Sequence, residues 1–282
     1  MTKLGSIKSP IYDDIAWDKF VRSHNRAWHE HGHLAVSFSC TGAGHEVKGR
    51  GCEDYSDFYI GSRYSCFALA DGHSSARESR FGSRLAVSVL LDLIKSFDDT
   101  DEDIILEKFE DKSLFESFFN NWFSQIIKCE NLSIAEMDIM TKRSVASHYG
   151  TTLSFFVVGP SKIISGILAD RGSIIKRIGK ESEFIFEDDG IGDKVSESVC
   201  DMDPKQFQIS VFDKAEIEAL AIMTDGLYKS FLPETTSIVD NLTYNAKNSK
   251  VKEAFFEDIE NFMLKSRVEI NDDISLVYAA LC

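Results

Sequence analysis

The sequence predicts an α+β fold in which helices pack outside β-sheets. Short apolar runs typical of strands occur in both halves of the chain, and two long stretches with helical spacing of apolar residues lie between them. The strict alternation of strand and helix that a doubly wound parallel sheet requires is absent. With 282 residues, of which 43% are hydrophobic and 27% charged, the chain can bury a substantial core.

The predicted elements follow one another along the chain in a simple order. Strand-like runs occupy 34–40, 55–61, 64–70, 151–158, 162–169, 173–178, 207–212, 218–223 and 274–281, and helical patterns occupy 76–97, 113–147, 234–246 and 251–266. Residues 1–33 are predicted to be a polar, partly helical N-terminal extension, and residues 34–282 a single domain. Four prolines and the lack of low-complexity sequence argue against a long linker.

The charge balance disfavours partners that carry a phosphate backbone. Thirty-one Lys and Arg residues against 46 Asp and Glu residues give a net charge of −15, and no local basic patch stands out, so we expect no nucleic-acid partner. No apolar run reaches the roughly 18 residues of a membrane span, so no membrane role is expected. The six scattered cysteines and the missing apolar export signal predict a reduced, cytoplasmic protein.

Acidic residues recur where apolar runs begin or end. Asp71-Gly72-His73 follows one such run, Asp225-Gly226 follows another, and Asp170-Arg171-Gly172 follows a third. The pairs Glu53-Asp54 and Asp272-Asp273 each open a strand-like run. Asp-Gly after a strand is also an ordinary turn signal. Several carboxylates at buried strand ends are also typical of a site for hard divalent cations, which prefer oxygen ligands.

Six motifs in order resemble those of the PPM (type 2C) protein phosphatase family. They are TGAGHEVKGRGCEDYSDFYIG, FALADGHSSARESRFGSRLAV, YGTTLSFFVV, LADRGSII, IMTDGLY and DDISLVYAAL, which together span about residues 36–281. The first resembles most closely the bacterial branch, whose motif reads G..H...G..CxD. The resemblance implies a four-layer α-β-β-α sandwich with a metal centre at one edge of the β-sandwich.

The resemblance also implies roles for individual residues in a centre of two Mn²⁺ or Mg²⁺ ions. The implied metal ligands are Glu53, Asp54, Asp71, the carbonyl of Gly72, Asp225 and Asp272. Asp71 would bridge the two ions, and His73 would act as the general acid. Arg50 is the candidate for binding phosphate, with Lys48, Arg77 and Arg80 as substitutes.

The function implied is hydrolysis of phosphoserine and phosphothreonine in proteins by a hydroxide that bridges the two cations. The expected partners are such phosphoproteins and the pathway of a cognate Ser/Thr kinase. Two alternatives remain open. One is a catalytically weak regulatory module that binds phosphopeptides, and the other is a phosphatase of small metabolites.

Two departures from the family pattern concern a third cation and the choice of substrate. A weaker third site would use Asp170 and an acid at position 229, where this chain has Lys229, so we expect that site to be weakened or missing. The acidic segment at about 181–206 falls where the family carries a variable flap. It is predicted to select substrates, although a plain surface loop fits the same composition.

Overall fold

The fold is built on two antiparallel β-sheets. A computed structural model describes residues 23–30, 33–133, 137–169, 172–185, 198–249 and 251–281. The first sheet, sheet A, contains strands β1 (Ser23–Glu30), β2 (His33–Cys40), β7 (Ser173–Arg177), β8 (Ser182–Phe184), β10 (Ile217–Met223) and β11 (Ile274–Ala280), in the order β1-β2-β11-β10-β7-β8. The second, sheet B, contains β3 (Tyr55–Ile60), β4 (Ser65–Ala70), β5 (Leu153–Val158), β6 (Lys162–Leu168) and β9 (Gln208–Asp213), in that order.

Eight α-helices lie within the described part of the chain. They are α1 (Ala43–Val47), α2 (Ser79–Lys95), α3 (Glu102–Glu110), α4 (Ser113–Cys129), α5 (Ile139–Ser147), α6 (Asp225–Tyr228), α7 (Thr235–Asn248) and α8 (Lys252–Glu269). Helices α2, α3 and α4 share a hydrophobic cluster with the outer face of sheet B. Helices α7 and α8 share another with the outer face of sheet A. The helices therefore cover both outer faces, as the sequence predicted.

The period-2 pattern of the strands explains how the two sheets also pack on each other. In β4, Phe67 and Leu69 belong to the cluster between the sheets, whereas Cys66 and Ala68 face the helices. Because successive strand residues point to opposite faces, a strand that is apolar throughout can serve two cores at once. The strands β4 and β11 are buried along nearly their whole length for this reason. The result is the four-layer α-β-β-α sandwich expected from the family resemblance.

Three local predictions need correction or completion. Ser23–Glu30, assigned to a partly helical extension, is strand β1, which pairs antiparallel with β2 and forms an edge of sheet A. The single long helical region predicted at 113–147 is divided into α4 and α5. Helix α3 was missed, because no element was predicted between the helical patterns at 76–97 and 113–147. The division of the chain at residue 33 otherwise stays a prediction.

The segment predicted to resemble a flap is described only at its two ends. Strand β8 lies at its start and pairs with β7, and short 3₁₀ turns at Val199–Asp201 and Pro204–Gln206 lie at its end. Residues 186–197 lie outside the described residues, so the predicted role in substrate selection stays untested. None of the described helices has the length and apolar character needed to cross a lipid bilayer.

Candidate functional site

The strand register brings the predicted acidic residues to one end of the β-sandwich. In sheet B, Tyr55 pairs with Ala70, so Asp54 and Asp71 leave neighbouring strands side by side. In sheet A, Met223 pairs with Leu276, so the end of β10 lies next to the start of β11. Asp225 follows the first of these strands and Asp272 precedes the second. Antiparallel pairing thus explains why residues far apart in sequence meet at one end.

Asp71 is held at this end by its main chain. Its N–H donates to Thr152 Oγ1 at 3.0 Å, and its carbonyl accepts from the Thr152 N–H at 2.8 Å and from Thr151 Oγ1 at 2.7 Å. These bonds tie the end of β4 to the residues before β5. The carboxyl group of Asp71 lies within hydrogen-bonding reach of the carboxyl group of Asp54.

The Glu53-Asp54 pair has buried carboxyl oxygens that lack a hydrogen-bond partner. Asp54 is 5% exposed, and its Oδ2 and Glu53 Oε2 have no hydrogen bond within the described residues. Burial raises the pKa of Asp54 well above its ordinary value, and the negative charge of Asp273 raises it further. Burial likewise raises the pKa of Glu53, against the lowering effects of His45 and Arg50. Such desolvated oxygens are the ligands that a hard cation prefers.

Asp225 and Asp272 form the side of the site that belongs to sheet A. Burial raises the pKa of Asp272, and the negative charge of Asp225 contributes to that rise. Lys229 lies one helical turn after Asp225, and its Nζ donates to Asp225 Oδ2 at 2.9 Å. Lys229, which was predicted to oppose a third cation, therefore contacts Asp225, a predicted metal ligand. Asp170, the other half of that prediction, lies outside the described residues.

Gly72 and His73 follow Asp71 in a tightly packed turn. A Cβ on Gly72 would lie 2.6 Å from the carbonyl oxygen of Glu53, so a larger residue would push the two acidic segments apart. The His73 N–H donates to the Gly150 carbonyl at 3.0 Å. Its Nε2 is buried without a hydrogen-bond partner, and burial lowers the pKa of the imidazole, while Asp201 acts in the opposite direction.

Arg50 lies at the rim of the site, with 43% of its side chain exposed. Its Nη1 is 3.7 Å from Glu53 Oε1 and 3.5 Å from the carbonyl oxygen of Ser74. The guanidinium therefore lies between the acid pair and the loop after His73. Among the substitutes, Arg77 is paired with Glu78 at 3.0 Å, whereas a Cβ on Gly51 would meet Arg80 Nη1 at 3.0 Å.

Two residues with no predicted role, His45 and Asp273, lie at the centre of this end of the sandwich. Both are buried, with exposed fractions of 8% and 3%. His45 Nδ1 is 3.0 Å from Asp273 Oδ2, and its Nε2 is 3.8 Å from Asp272 Oδ1. The contact with the Asp273 carboxylate raises the pKa of His45. The signals that could have found them were the histidine of the first motif and the second acid of the Asp272-Asp273 pair.

The donor set fits divalent cations in its chemistry. It offers carboxylate oxygens and the Gly72 carbonyl, and two of the carboxyl oxygens are buried without a partner. As the side chains stand, no three His, Cys, Asp or Glu residues in the described ranges converge closely enough to hold a metal ion. The predicted ligands share one end of the sandwich, and their assignment as ligands stays a prediction.

Comparison with known proteins identifies the family. A model of the protein phosphatase 2C family matches residues 41–264, which is more than half of the chain. The chain belongs to this family. The matched range begins just after β2, includes Glu53, Asp54, Asp71 and Asp225, and ends before Asp272. A search of curated proteins by sequence finds no match.

Solved structures of Ser/Thr phosphatases and of RsbX share the fold of this phosphatase 2C domain. The Ser/Thr phosphatase Stp1 from Staphylococcus aureus matches with a TM-score of 0.59 at 14% identity, over 88% of this chain and 94% of that one. The catalytic domain of PstP, in complex with two manganese ions, matches with 0.54 at 14% identity, over 88% and 97%. RsbX in complex with magnesium matches with 0.54 at 14% identity, over 92% and 100%.

Proposed function

We propose that this protein is a metal-dependent phosphoprotein phosphatase that hydrolyses phosphoserine and phosphothreonine. The observation that carries the proposal is the convergence of the acidic motif residues at one end of the sandwich in a chain of the phosphatase 2C family. Related structures with two manganese ions or with magnesium support the choice of cofactor. Two Mn²⁺ or Mg²⁺ ions are the proposed cofactors.

The proposed ligands divide between the two sheets. Asp71 would serve both cations, Gly72 would offer its carbonyl, Asp225 and Asp272 would complete one side, and Glu53 and Asp54 would serve the other. When bound, the two cations would lower the pKa of a water so that it can lose its proton and act as the nucleophile at neutral pH, and they would offset the charge of the phosphoryl oxygens. The buried, unpartnered oxygens of Glu53 and Asp54 would gain the partner that they otherwise lack.

The chain's own residues orient the ester and complete the proton transfer. Arg50, exposed at the rim beside Glu53, would bind the phosphate through its planar guanidinium. The departing serine or threonine oxygen requires a proton, and His73 is the proposed donor because it lies two residues after Asp71. The hydrogen bond from its backbone N–H to the Gly150 carbonyl holds it in that position. A Ser/Thr kinase of opposing activity and its phosphoprotein substrates are the expected partners.

The proposed setting is the cytoplasm. The cysteines described by the structure are free thiols, namely Cys40, Cys52, Cys66, Cys129 and Cys200. Free thiols are typical of proteins in reducing compartments, which supports this placement.

The test compares three kinds of substrate with purified protein and saturating Mn²⁺. We expect hydrolysis of p-nitrophenyl phosphate and of phosphothreonine peptides, and slower hydrolysis of small metabolite phosphates. Asp71→Asn should abolish turnover, whereas Asp92→Asn, an exposed acid on α2, should not change it. Binding of phosphopeptides without phosphate release would favour the regulatory module, and a preference for metabolites would favour the metabolite phosphatase. Either result would contradict the proposal.

A further inference from the structure

Asp273 joins three segments that approach the proposed metal centre. Its Oδ1 accepts from the Gly42 N–H at 3.0 Å, and its Oδ2 accepts from the Glu53 N–H at 2.6 Å. Gly42 lies between β2 and α1, Glu53 lies just before β3, and Asp273 itself opens β11. One buried carboxylate thus connects segments next to both sheets. Gly42 directly precedes α1, Glu53 is itself a proposed ligand, and Asp273 directly follows the proposed ligand Asp272.

His45 completes the connection from helix α1. Its Nδ1 lies 3.0 Å from the same Oδ2 that accepts from Glu53, and its Nε2 lies 3.8 Å from Asp272 Oδ1. The imidazole therefore lies between Asp272, a proposed metal ligand, and the Asp273 carboxylate, which accepts hydrogen bonds from two backbone N–H groups. Neither ring nitrogen faces solvent to a large extent, because His45 is 8% exposed.

The backbone segments beside this pair, at Gly42 and Asp272, are closely packed against each other. A Cβ on Gly42 would lie 1.7 Å from the carbonyl oxygen of Asp272, so the turn before α1 rests directly on the backbone of that residue. The Asp273 N–H in turn donates to Asp272 Oδ1 at 2.9 Å. A movement of Asp273 or His45 would therefore be transmitted to the carboxyl group of Asp272 and to the backbone of Glu53.

From these contacts we infer that His45 and Asp273 are a positioning pair that sets the arrangement of Glu53, Asp54 and Asp272 for cation binding. The inference rests on the proposed function, since it concerns the same centre. The pair is assigned to positioning and not to the metal, since the Asp273 oxygens hold the backbone of Gly42 and of the proposed ligand Glu53 in place. Residues of this kind around metal ligands typically change metal affinity or activity about 10- to 100-fold when they are replaced.

The first experiment measures Mn²⁺ affinity by calorimetry at a temperature where every variant is folded. Asp273→Asn keeps the shape but offers one acceptor oxygen instead of two, and His45→Leu removes both ring nitrogens. Each should weaken Mn²⁺ binding about 10- to 100-fold. His45→Asn, which carries a nitrogen near the position of Nδ1, should restore most of the affinity. His148→Asn and Asp92→Asn, two exposed positions, are the matched controls and should bind as the wild type does.

The second experiment measures amide hydrogen exchange in the metal-free protein. At least one of the Gly42 and Glu53 amides should exchange about tenfold faster in Asp273→Asn than in the wild type, because the asparagine keeps only one of the two acceptor oxygens. If Asp273→Asn does not fold, the comparison of His45→Leu with His45→Asn decides the question.

The outcomes separate this inference from the proposed function. Folded His45→Leu and Asp273→Asn proteins that bind Mn²⁺ as tightly as the wild type would overturn the positioning role. A lower melting temperature with unchanged Mn²⁺ affinity would also overturn it, because it would show a merely structural role. If the wild type binds no Mn²⁺, the proposed function fails and the positioning role fails with it. Faster exchange of the Gly42 or the Glu53 amide would then support only the structural connection.

Discussion

Lys229 contacts Asp225, one of the proposed metal ligands. The Lys229 ammonium lies 2.9 Å from Asp225 Oδ2, one helical turn further along the chain. A cation bound by Asp225 would have to share this carboxylate with the lysine or displace it. The positive charge at position 229 would therefore compete with the proposed metal ion for one ligand and would also repel it.

Replacing Lys229 should therefore strengthen metal binding. Exposed ion pairs contribute about 0.3–1 kcal/mol, so Lys229→Gln should tighten Mn²⁺ binding about two- to fivefold. Calorimetric titration with Mn²⁺ measures the change, and Lys95→Gln at the end of α2 is the control for losing a lysine elsewhere. Weaker binding by Lys229→Gln would show that the ammonium supports the site instead of competing with it.

The positions of single residues at strand ends could be predicted from the sequence. Asp54, Asp71, Asp225 and Asp272 follow or precede buried apolar runs, and the strand register brings these ends together. Their role as metal ligands stays a prediction. His45 and Asp273 could not be assigned in the same way. Their significance depends on contacts between residues more than 200 positions apart, which spacing alone does not reveal.

At the scale of elements, Asp98 anchors a hairpin turn to the end of α2. Its Oδ1 accepts from the N–H groups of Arg63 and Tyr64, both at 3.0 Å. Its Oδ2 accepts from the Ser62 N–H at 3.0 Å and the Ser62 hydroxyl at 2.8 Å. Burial alone would raise the pKa of Asp98, but these hydrogen bonds outweigh it and lower the pKa to about 2.

Asp98→Asn should destabilise the protein in a pH-dependent way. The loss should be about 1–3 kcal/mol at pH 7, because backbone donors lose a charged acceptor. The folded pKa of about 2 lies below the unfolded value near 3.9, so the stabilisation is complete above the unfolded value and is lost as the pH falls toward 2. Urea unfolding at pH 7 and from pH 4 to 2 measures this, with the exposed neighbour Asp99→Asn as control. A difference that stays constant to pH 2 would contradict it.

Elements with clear periodicity were predicted from sequence, and those without it were not. Helix α2 follows its pattern because it buries one apolar face, and strands β4 and β11 follow theirs because they are apolar on both faces. Strand β1 was missed because its sequence, SHNRAWHE, is mostly polar, which is common at a sheet edge. Its pairing with β2 is made by main-chain hydrogen bonds, which produce no pattern of apolar residues in the sequence.

At the scale of the whole molecule, the net charge of −15 should influence which phosphopeptides are hydrolysed fastest. A negative surface attracts basic substrates and repels acidic ones, and salt screens both effects. We expect kcat/KM at low salt to be about tenfold higher for a phosphothreonine peptide with flanking arginines than for one with flanking glutamates. The ratio should fall toward one in 0.5 M NaCl. The Debye length is already only about 8 Å at roughly 0.15 M salt, and it is shorter still at this higher concentration. A ratio that does not depend on salt would show local pocket recognition instead.

The central claim is that the acidic residues at one end of the sandwich form a metal-dependent phosphatase site. The most direct measurement is phosphate release from a phosphothreonine peptide, with Mn²⁺ and with a chelator, by the wild type and by Asp71→Asn. The wild type should release phosphate only with Mn²⁺, and Asp71→Asn should release it at least about 100-fold more slowly. No release by folded wild-type protein at saturating Mn²⁺, or equal release by Asp71→Asn, would contradict it.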